Sequence, residues 1–513
     1  MAALSRLLGA VRRRLERAPN RGGFQGAVEQ YRLRMLVWNS VPCAPASGSR
    51  VAVLVTPWVD TAVPMFAIEI ALAMRARGAT PVFLLDLAQL GLNDVSAGSL
   101  AALESLAVEL ERFGEVVTVS GEPDRPLEID EAFAALIREN CVWTTKGEAL
   151  SAEYLSAHPE LEGAMSRHAT QVTATIAKLR LSWLLVPGGV FGLSGLYVRA
   201  ARELKVDFTT FDSGPGRLFV AHRAIAAQSG DLPESHRRLL ANVAADPAAR
   251  AFVLASARQM EKDRQELRDP FGFQVAARGG DAGRPCEVLL CLNYRADTAA
   301  LLRTKVFPSV AEWIRAVLDW AERRGDVCVG IRPHPVTRHA RVHSTDRLDL
   351  IVKERDPESR FSRWIPADAA VSSYDLLSAA KVVLPFTSTI GIEAAWMGKP
   401  VILGSHAYYD SLGFAHPAVD RADYFQRIEE ALAGGLIPNE TQREAAALCL
   451  YLILKCRSVY TSFTPQPKDF EQWLQESPAQ LWVRPELEDL AAALITREPL
   501  TWLRHLRLSA CVS

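Results

Sequence analysis

From residue 50 onward the chain alternates short, β-branched apolar runs with stretches of helical periodicity, and it does so in two separate series. A run that is apolar at every position, not every second one, suits a strand covered on both faces, so the alternation predicts parallel α/β architecture. The first series places strands at Val51–Val55, Val82–Leu85, Glu115–Val119, Trp183–Val186 and Phe208–Phe211, and helices over Ala62–Arg77, Gly163–Arg180 and Leu193–Leu204. The second opens at Val288–Leu292. It continues through a helix over Ser309–Arg324, strands at Val327–Ile331 and Lys381–Leu384, a helix over Thr389–Met397 and a strand at Val401–Leu403. The expected fold is therefore two Rossmann-like domains facing across a cleft, with ligands at the carboxyl ends of the strands. The chain divides on this reading into a basic N-terminal helical segment (1–49), a first Rossmann-like domain (50–229), a helical linker (230–285), a second Rossmann-like domain (286–435) and C-terminal helices (436–513).

Charge narrows the partners. Lys and Arg number 58 against 59 Asp and Glu, which lacks the basic excess of a nucleic-acid binder and points to small molecules or glycans. The longest apolar run, Ala445–Leu454, is half of the roughly 20 residues that span a bilayer, and the first residues lack the order of a secretion signal. The eight Cys are scattered with no Cys-x-x-Cys spacing, so a reducing, cytoplasmic setting without a zinc site is expected. Residues 1–34 hold eight Arg against Glu16 and Glu29, and Leu4, Leu7, Leu8, Val11 and Leu15 recur at helical spacing. That segment reads either as an amphipathic helix resting on an anionic membrane or as a solvated helix packed on the first domain.

Two segments carry chemistry. In Gly330-Ile331-Arg332-Pro333-His334-Pro335 a strand runs straight into a cation and an imidazole held between prolines, which presents Arg332 and His334 to a phosphate with little freedom left to lose. In Pro385-Phe386-Thr387-Ser388-Thr389-Ile390-Gly391-Ile392-Glu393, strand, hydroxyl cluster and helix start follow in order, a sequence suited to an anionic nucleotide. Glu393, one turn inside that helix, is placed to accept ribose hydroxyls. Ordinary N-capping by Ser388 or Thr389 is the competing explanation.

Together these segments resemble bacterial capsule polysaccharide biosynthesis proteins, a family that includes GT-B transferases of 3-deoxy-manno-octulosonate. The resemblance runs from about Val288 to Ala415. It includes Phe307 with Trp313, Arg332-Pro333-His334-Pro335, Ser388-Thr389-Ile390-Gly391-Ile392-Glu393-Ala394-Ala395, Gly398-Lys399-Pro400, and Tyr408-Tyr409 before Gly413-Phe414. In CMP-sugar-using enzymes of this type a His-Pro pair and a Ser-Ser or Ser-Thr pair contact the donor nucleotide. By resemblance those roles fall on His334 with Pro335 and on Ser388 with Thr389.

What the resemblance implies is a GT-B glycosyltransferase; the cytoplasmic setting is expected from the Cys pattern, and contact with the inner face of the membrane is one of the two readings of the basic N-terminal segment. The enzyme would move a sugar from a nucleotide-sugar donor, CMP-sugar ahead of UDP-sugar, to a growing polysaccharide or surface glycan, with the first domain on the acceptor side. No Asp-x-Asp metal motif appears, and no cofactor beyond the donor is expected. The family's acidic pair before Gly is incomplete. Phe211-Asp212-Ser213-Gly214 offers one acid at a strand end, so Asp212 is the expected base, with Asp60 after the first strand as its rival. A turn explains the Asp212 segment equally well, and helix N-capping explains Asp60. His222 and Tyr408 are further cleft candidates. The alternatives in function are a nucleotide-sugar epimerase, a polyol-phosphate transferase, or a catalytically silent scaffold of glycan synthesis. A phosphate-binding P-loop and a Gly-x-Ser-x-Gly nucleophile elbow are both absent.

Overall fold

A computed structural model describes residues 26, 28, 29, 31, 32, 35, 50–59, 61, 63–92, 94–119, 127–214, 217–266, 268, 285–338, 344–460 and 485–510. The amphipathic segment read over Leu4–Leu15, and Asp60, lie outside these residues. The chain is α/β and sorts into two units. Unit 1 takes residues 1–140, 158–231 and 458–503; unit 2 takes 141–157, 232–457 and 504–513.

Unit 1 is built on seven strands: β1 (Arg50–Val55), β2 (Thr80–Leu85), β3 (Glu115–Thr118), β4 (Trp183–Pro187), β5 (Asp207–Gly214), β6 (Arg217–His222) and, from much later in the chain, the strand at Val459–Tyr460. Across the sheet β3, β2, β1, β4 and β5 lie side by side and parallel; β6 and the Val459–Tyr460 strand extend it antiparallel. This is the Rossmann order, with its switch point between β1 and β4. The apolar runs explain the placement, since Ala52, Val53, Leu54, Leu84 and Leu185 are all inaccessible to solvent. Beyond the end of β2, the buried Asp86 carboxylate receives the Tyr197 hydroxyl at 2.8 Å and His168 Nε2 at 2.7 Å. His168 Nδ1 faces Gln171 Oε1 at 2.9 Å, so both ring nitrogens meet oxygen acceptors. Burial works against the charged ring, but the hydrogen bond and charge of Asp86 raise the His168 pKa above its ordinary value. This buried cluster ties the Glu160–Leu179 and Ser194–Glu203 helices to the sheet.

Unit 2 repeats the plan with β7 (Val288–Cys291), β8 (Val329–Arg332), β9 (Ser362–Trp364) and β10 (Val382–Pro385), all parallel, in the order β9-β8-β7-β10. A short pair, β11 (Ile402–Leu403) with β12 (His416–Pro417), continues beyond β10 through a bridge between Val383 and Val401. The Val310–Arg324 helix shows why the local sequence is enough in places. Ser309 Oγ accepts the Glu312 N–H at 3.1 Å, Val310, Trp313, Ile314, Val317 and Leu318 form one buried stripe, and Gly325 closes the helix at φ +77°. Each of those fully buried side chains contributes about 1.5 to 3 kcal/mol.

The stretch read as a helical linker, 230–285, contains two helices, Leu232–Ala245 and Pro247–Gln265, both packed against the Glu440–Tyr451 helix within unit 2. The Cys set also differs from its reading as scattered thiols: Cys286 and Cys328, which precede β7 and β8, are bonded to each other with Cα atoms 4.5 Å apart. They meet because β7 and β8 are adjacent and parallel, Val288 pairing with Val329, which leaves the two Cys one position from direct register. Among the described residues no helix is long and apolar enough to cross a membrane.

Candidate functional site

In a parallel sheet of this order the crevice opens at the carboxyl ends of the two strands flanking the switch point, here β7 and β10. The side chains beyond those ends are joined directly. Asn293 Nδ2 donates to Thr387 Oγ1 at 2.9 Å, and the Thr387 N–H donates to Asn293 Oδ1 at 3.0 Å. Beside this clasp a cavity of about 730 Å³, partly open to solvent, is lined by Arg332, His334, Pro335, Ser388, Thr389 and Glu393. Every residue that the sequence leads us to expect at a nucleotide thus lines one pocket of unit 2. Arg264, Ser373 and Tyr374 line it as well.

His334 leaves the end of β8 and turns at once into a 3-10 segment, Pro335–Arg338, where the Thr337 N–H and hydroxyl both donate to the His334 carbonyl. Its Nδ1 accepts the Val336 N–H at 3.2 Å, which leaves the ring proton on Nε2. Burial holds the imidazole pKa down to about 4; Asp297 pulls it up, and Arg264 pushes it further down. His334 is therefore a neutral hydrogen-bond donor at physiological pH.

Arg332 behaves differently from a solvated or ligand-directed cation. It is 3% exposed, and its guanidinium donates to the carbonyls of Ile365, Pro366 and Val371. Those contacts anchor the loop after β9. The cation with more access to the pocket is Arg264, whose guanidinium nitrogen lies 3.0 Å from Glu393 Oε1. The same oxygen accepts the Tyr374 hydroxyl at 3.0 Å. Glu393 is 6% exposed, so its carboxylate is held by a cation and a phenol inside the wall of the pocket.

Capping does not explain Thr389, and at Ser388 it amounts to one long bond. The helix runs Ile390–Trp396, and its N-cap residue Thr389 makes no side-chain cap; the Thr389 hydroxyl instead meets Tyr408 OH at 2.9 Å. Ser388 Oγ receives the Ile390 N–H at a long 3.4 Å. The Ser388 carbonyl accepts the Tyr409 hydroxyl at 2.8 Å, so both tyrosines of the Tyr408-Tyr409 pair brace this turn. Gly391 makes the bracing possible. A Cβ there would lie 2.9 Å from Pro385 Cγ and closer still to the Tyr409 hydroxyl. Gly391→Ala is expected to lower stability by about 1 to 3 kcal/mol, the usual cost of overpacking. Denaturant midpoints measure this, and an unchanged midpoint would mean that Tyr409 moves aside freely.

In unit 1, Asp212 lies near the carboxyl end of β5, paired with Phe219 of β6, and its Oδ1 accepts the Ser213 N–H at 2.7 Å. It is half-buried within a β-hairpin, a more regular setting than an isolated turn. His222 is at the opposite end: β6 runs antiparallel, so His222 pairs with Thr209 near the start of β5. Its Nδ1 contacts Thr209 Oγ1 at 2.7 Å, and burial first of all lowers its pKa to about 4. That position is at the amino end of the parallel strands, away from the ligand end.

No protein-family model matches the chain, and no curated protein matches it. Among solved structures it is similar to the beta Kdo 2,7 transferase of KpsC from Thermosulfurimonas dismutans, at 16% identity over 64% of this chain and 89% of that one, with a TM-score of 0.33. A glycosyltransferase from Rickettsia africae matches at 12% identity over 84% and 99%, TM-score 0.27. UDP-GlcNAc 2-epimerase from Neisseria meningitidis, solved with UDP-GlcNAc bound, matches at 12% over 87% and 100%, TM-score 0.21. Likenesses of this size bear on neither activity nor donor.

Proposed function

We propose that the protein is a glycosyltransferase that binds the nucleotide of a sugar donor, CMP-sugar ahead of UDP-sugar, in the pocket of unit 2 and passes the sugar to a glycan acceptor. The observation that carries this reading is the convergence of Arg332, His334, Pro335, Ser388, Thr389 and Glu393 on one cavity at the switch point. Residues from three separate stretches of chain meet there, and they supply what a nucleotide phosphate requires. The neutral His334 donates from Nε2, the Ser388 and Thr389 hydroxyls lie nearby, and Arg264 provides positive charge. Glu393 faces the ribose. Arg332 is a positioning residue in this scheme, holding the 365–371 loop through backbone carbonyls.

Chemically, the acceptor oxygen attacks the anomeric carbon while the bond to the nucleotide phosphate breaks, and the phosphate leaves with the electron pair. The acceptor's proton passes to a general base, the role that the sequence assigns to Asp212. Charge developing on the leaving phosphate is met by Arg264 and the His334 N–H, each charge-assisted contact contributing about 1.5 to 3 kcal/mol, with no metal needed in this scheme.

Incubating the purified protein with labelled CMP-, UDP-, GDP- and CDP-sugars and a glycan acceptor tests the proposal. Label should move to the glycan with one nucleotide released per transfer. A rearranged nucleotide sugar without transfer would indicate an epimerase, transfer of a polyol phosphate would indicate that class, and binding without turnover would indicate a scaffold.

A further inference from the structure

A second cavity in unit 2, about 880 Å³ of empty space counted out into open solvent, shares Leu292, Pro333 and His334 with the nucleotide pocket. It takes its other walls from the segment after β7, the 3-10 turn after His334, the loop around Asp346 and the edge strand β9. Its charges are answered within the protein. Arg295 Nε lies 2.6 Å from Glu148 Oε1, and another guanidinium nitrogen donates to the Ala300 carbonyl at 3.1 Å. Glu148 Oε2 accepts the Val310 N–H at 2.8 Å. The Asp346 carboxylate accepts the N–H groups of Glu148 and Ala149 at 3.0 and 2.9 Å, and Asp349 pairs with Arg347 at 2.9 Å.

With those charges paired, the wall offers a ligand mainly neutral groups: the Tyr294 and Thr337 hydroxyls, the Asn293 amide and the half-buried indole of Trp364. The Thr337 hydroxyl spends its proton on the His334 carbonyl at 2.8 Å, which leaves its oxygen able to accept. Flat aromatic surface beside hydroxyl and amide groups is the chemistry that holds a sugar ring, the indole meeting the C–H face and the polar groups meeting the hydroxyls. The nucleotide pocket differs in its Ser388-Thr389 pair and in Arg264, which Glu393 holds, and its ring is Tyr374 in place of the larger indole.

We propose that this second cavity seats the sugar ring of the donor, stacked on Trp364, and that His334, common to both cavities, marks the phosphate that joins ring to nucleotide. The proposal rests on the donor reading given above. It adds a sugar subsite and makes Trp364, Tyr294 and Thr337 determinants of which sugar is accepted.

The test compares binding of a free nucleotide, CMP or UDP, with binding of the matching nucleotide sugar in the whole protein and in Trp364→Leu. Leucine keeps apolar bulk against the core that Trp364 also touches but removes the aromatic face. Free nucleotide should bind both proteins equally, while the nucleotide sugar should weaken by about three- to ten-fold in the variant, the scale of one lost aromatic contact. Thr337→Val, nearly unchanged in volume, should show the same selective loss and serves if Trp364→Leu folds poorly. Equal weakening of nucleotide and nucleotide sugar would place Trp364 under the nucleoside and overturn the sugar subsite, as would no weakening of either. If the unmodified protein binds no nucleotide at all, the donor reading itself falls and the subsite with it.

Discussion

Replacing His334 by Ala should abolish the thermal stabilisation that CMP or UDP gives the protein. A ligand that binds only the folded state at 100 times its Kd adds about 2.7 kcal/mol to stability, so the shift in the unmodified protein is well within reach of a melting experiment. The imidazole is committed to the donor role by its surroundings: Nδ1 is occupied by the Val336 N–H, and burial keeps the ring neutral down to about pH 4. Alanine removes the one donor that both cavities share. A nucleotide shift that survives the substitution unchanged would remove the pocket assignment. The same variant carries a pH signature without ligand. Because the folded pKa is depressed from 6.5 to about 4, the unfolded chain takes up the proton first, and stability present above 6.5 is lost as pH falls toward 4. His334→Ala should lose less stability than the unmodified protein over that interval.

Asp212→Asn should leave nucleotide binding nearly intact and reduce transfer by roughly 100-fold or more, as expected for loss of a general base. The substitution is a clean one. Asn retains an oxygen to accept the Ser213 N–H, so the hairpin keeps its local bond while the side chain loses its charge and most of its basicity. Transfer near the original rate would make Asp212 a hairpin former only, and Asp60 would become the better candidate. Loss of nucleotide binding as well would mean that the β5–β6 hairpin shapes the nucleotide site, and the division of roles between the two units would be mistaken.

The parts of the fold that were legible in the sequence are those whose cause is local. Val288–Cys291 and Val382–Pro385 announce themselves because a strand buried on both faces must be apolar throughout, and the Val310–Arg324 helix because Ser309 and Gly325 mark its ends. The residues lining the unit 2 pocket stand out for the same reason: Arg332 closes such a strand, and His334, Ser388 and Thr389 lie within a few residues of the end of one. What escaped depends on partners remote in sequence. Arg264 sits at the end of a helix whose charged pattern resembles any solvated surface, and nothing local tells that Glu393 and Tyr374 await it. Arg332 reads as a free cation until the carbonyls of residues 365–371 are folded around it. The Val459–Tyr460 strand is too short to show any period and exists only because β6 offers it an edge.

The chain leaves unit 1 after Asn140, re-enters it at His158, leaves after Asp231, returns at Ser458 and departs again after Leu503. Neither unit is therefore a module that a single cut can release. Ending the chain at residue 457 would strip the Val459–Tyr460 strand and the Pro485–Thr496 helix from unit 1, while an N-terminal cut at 232 would take Glu148, and with it the partner of Arg295, away from unit 2. Recombination between relatives of this chain, natural or engineered, cannot move unit 2 intact by swapping a contiguous C-terminal half. It has to carry the 141–157 segment along, and that segment lies in sequence between two stretches of unit 1.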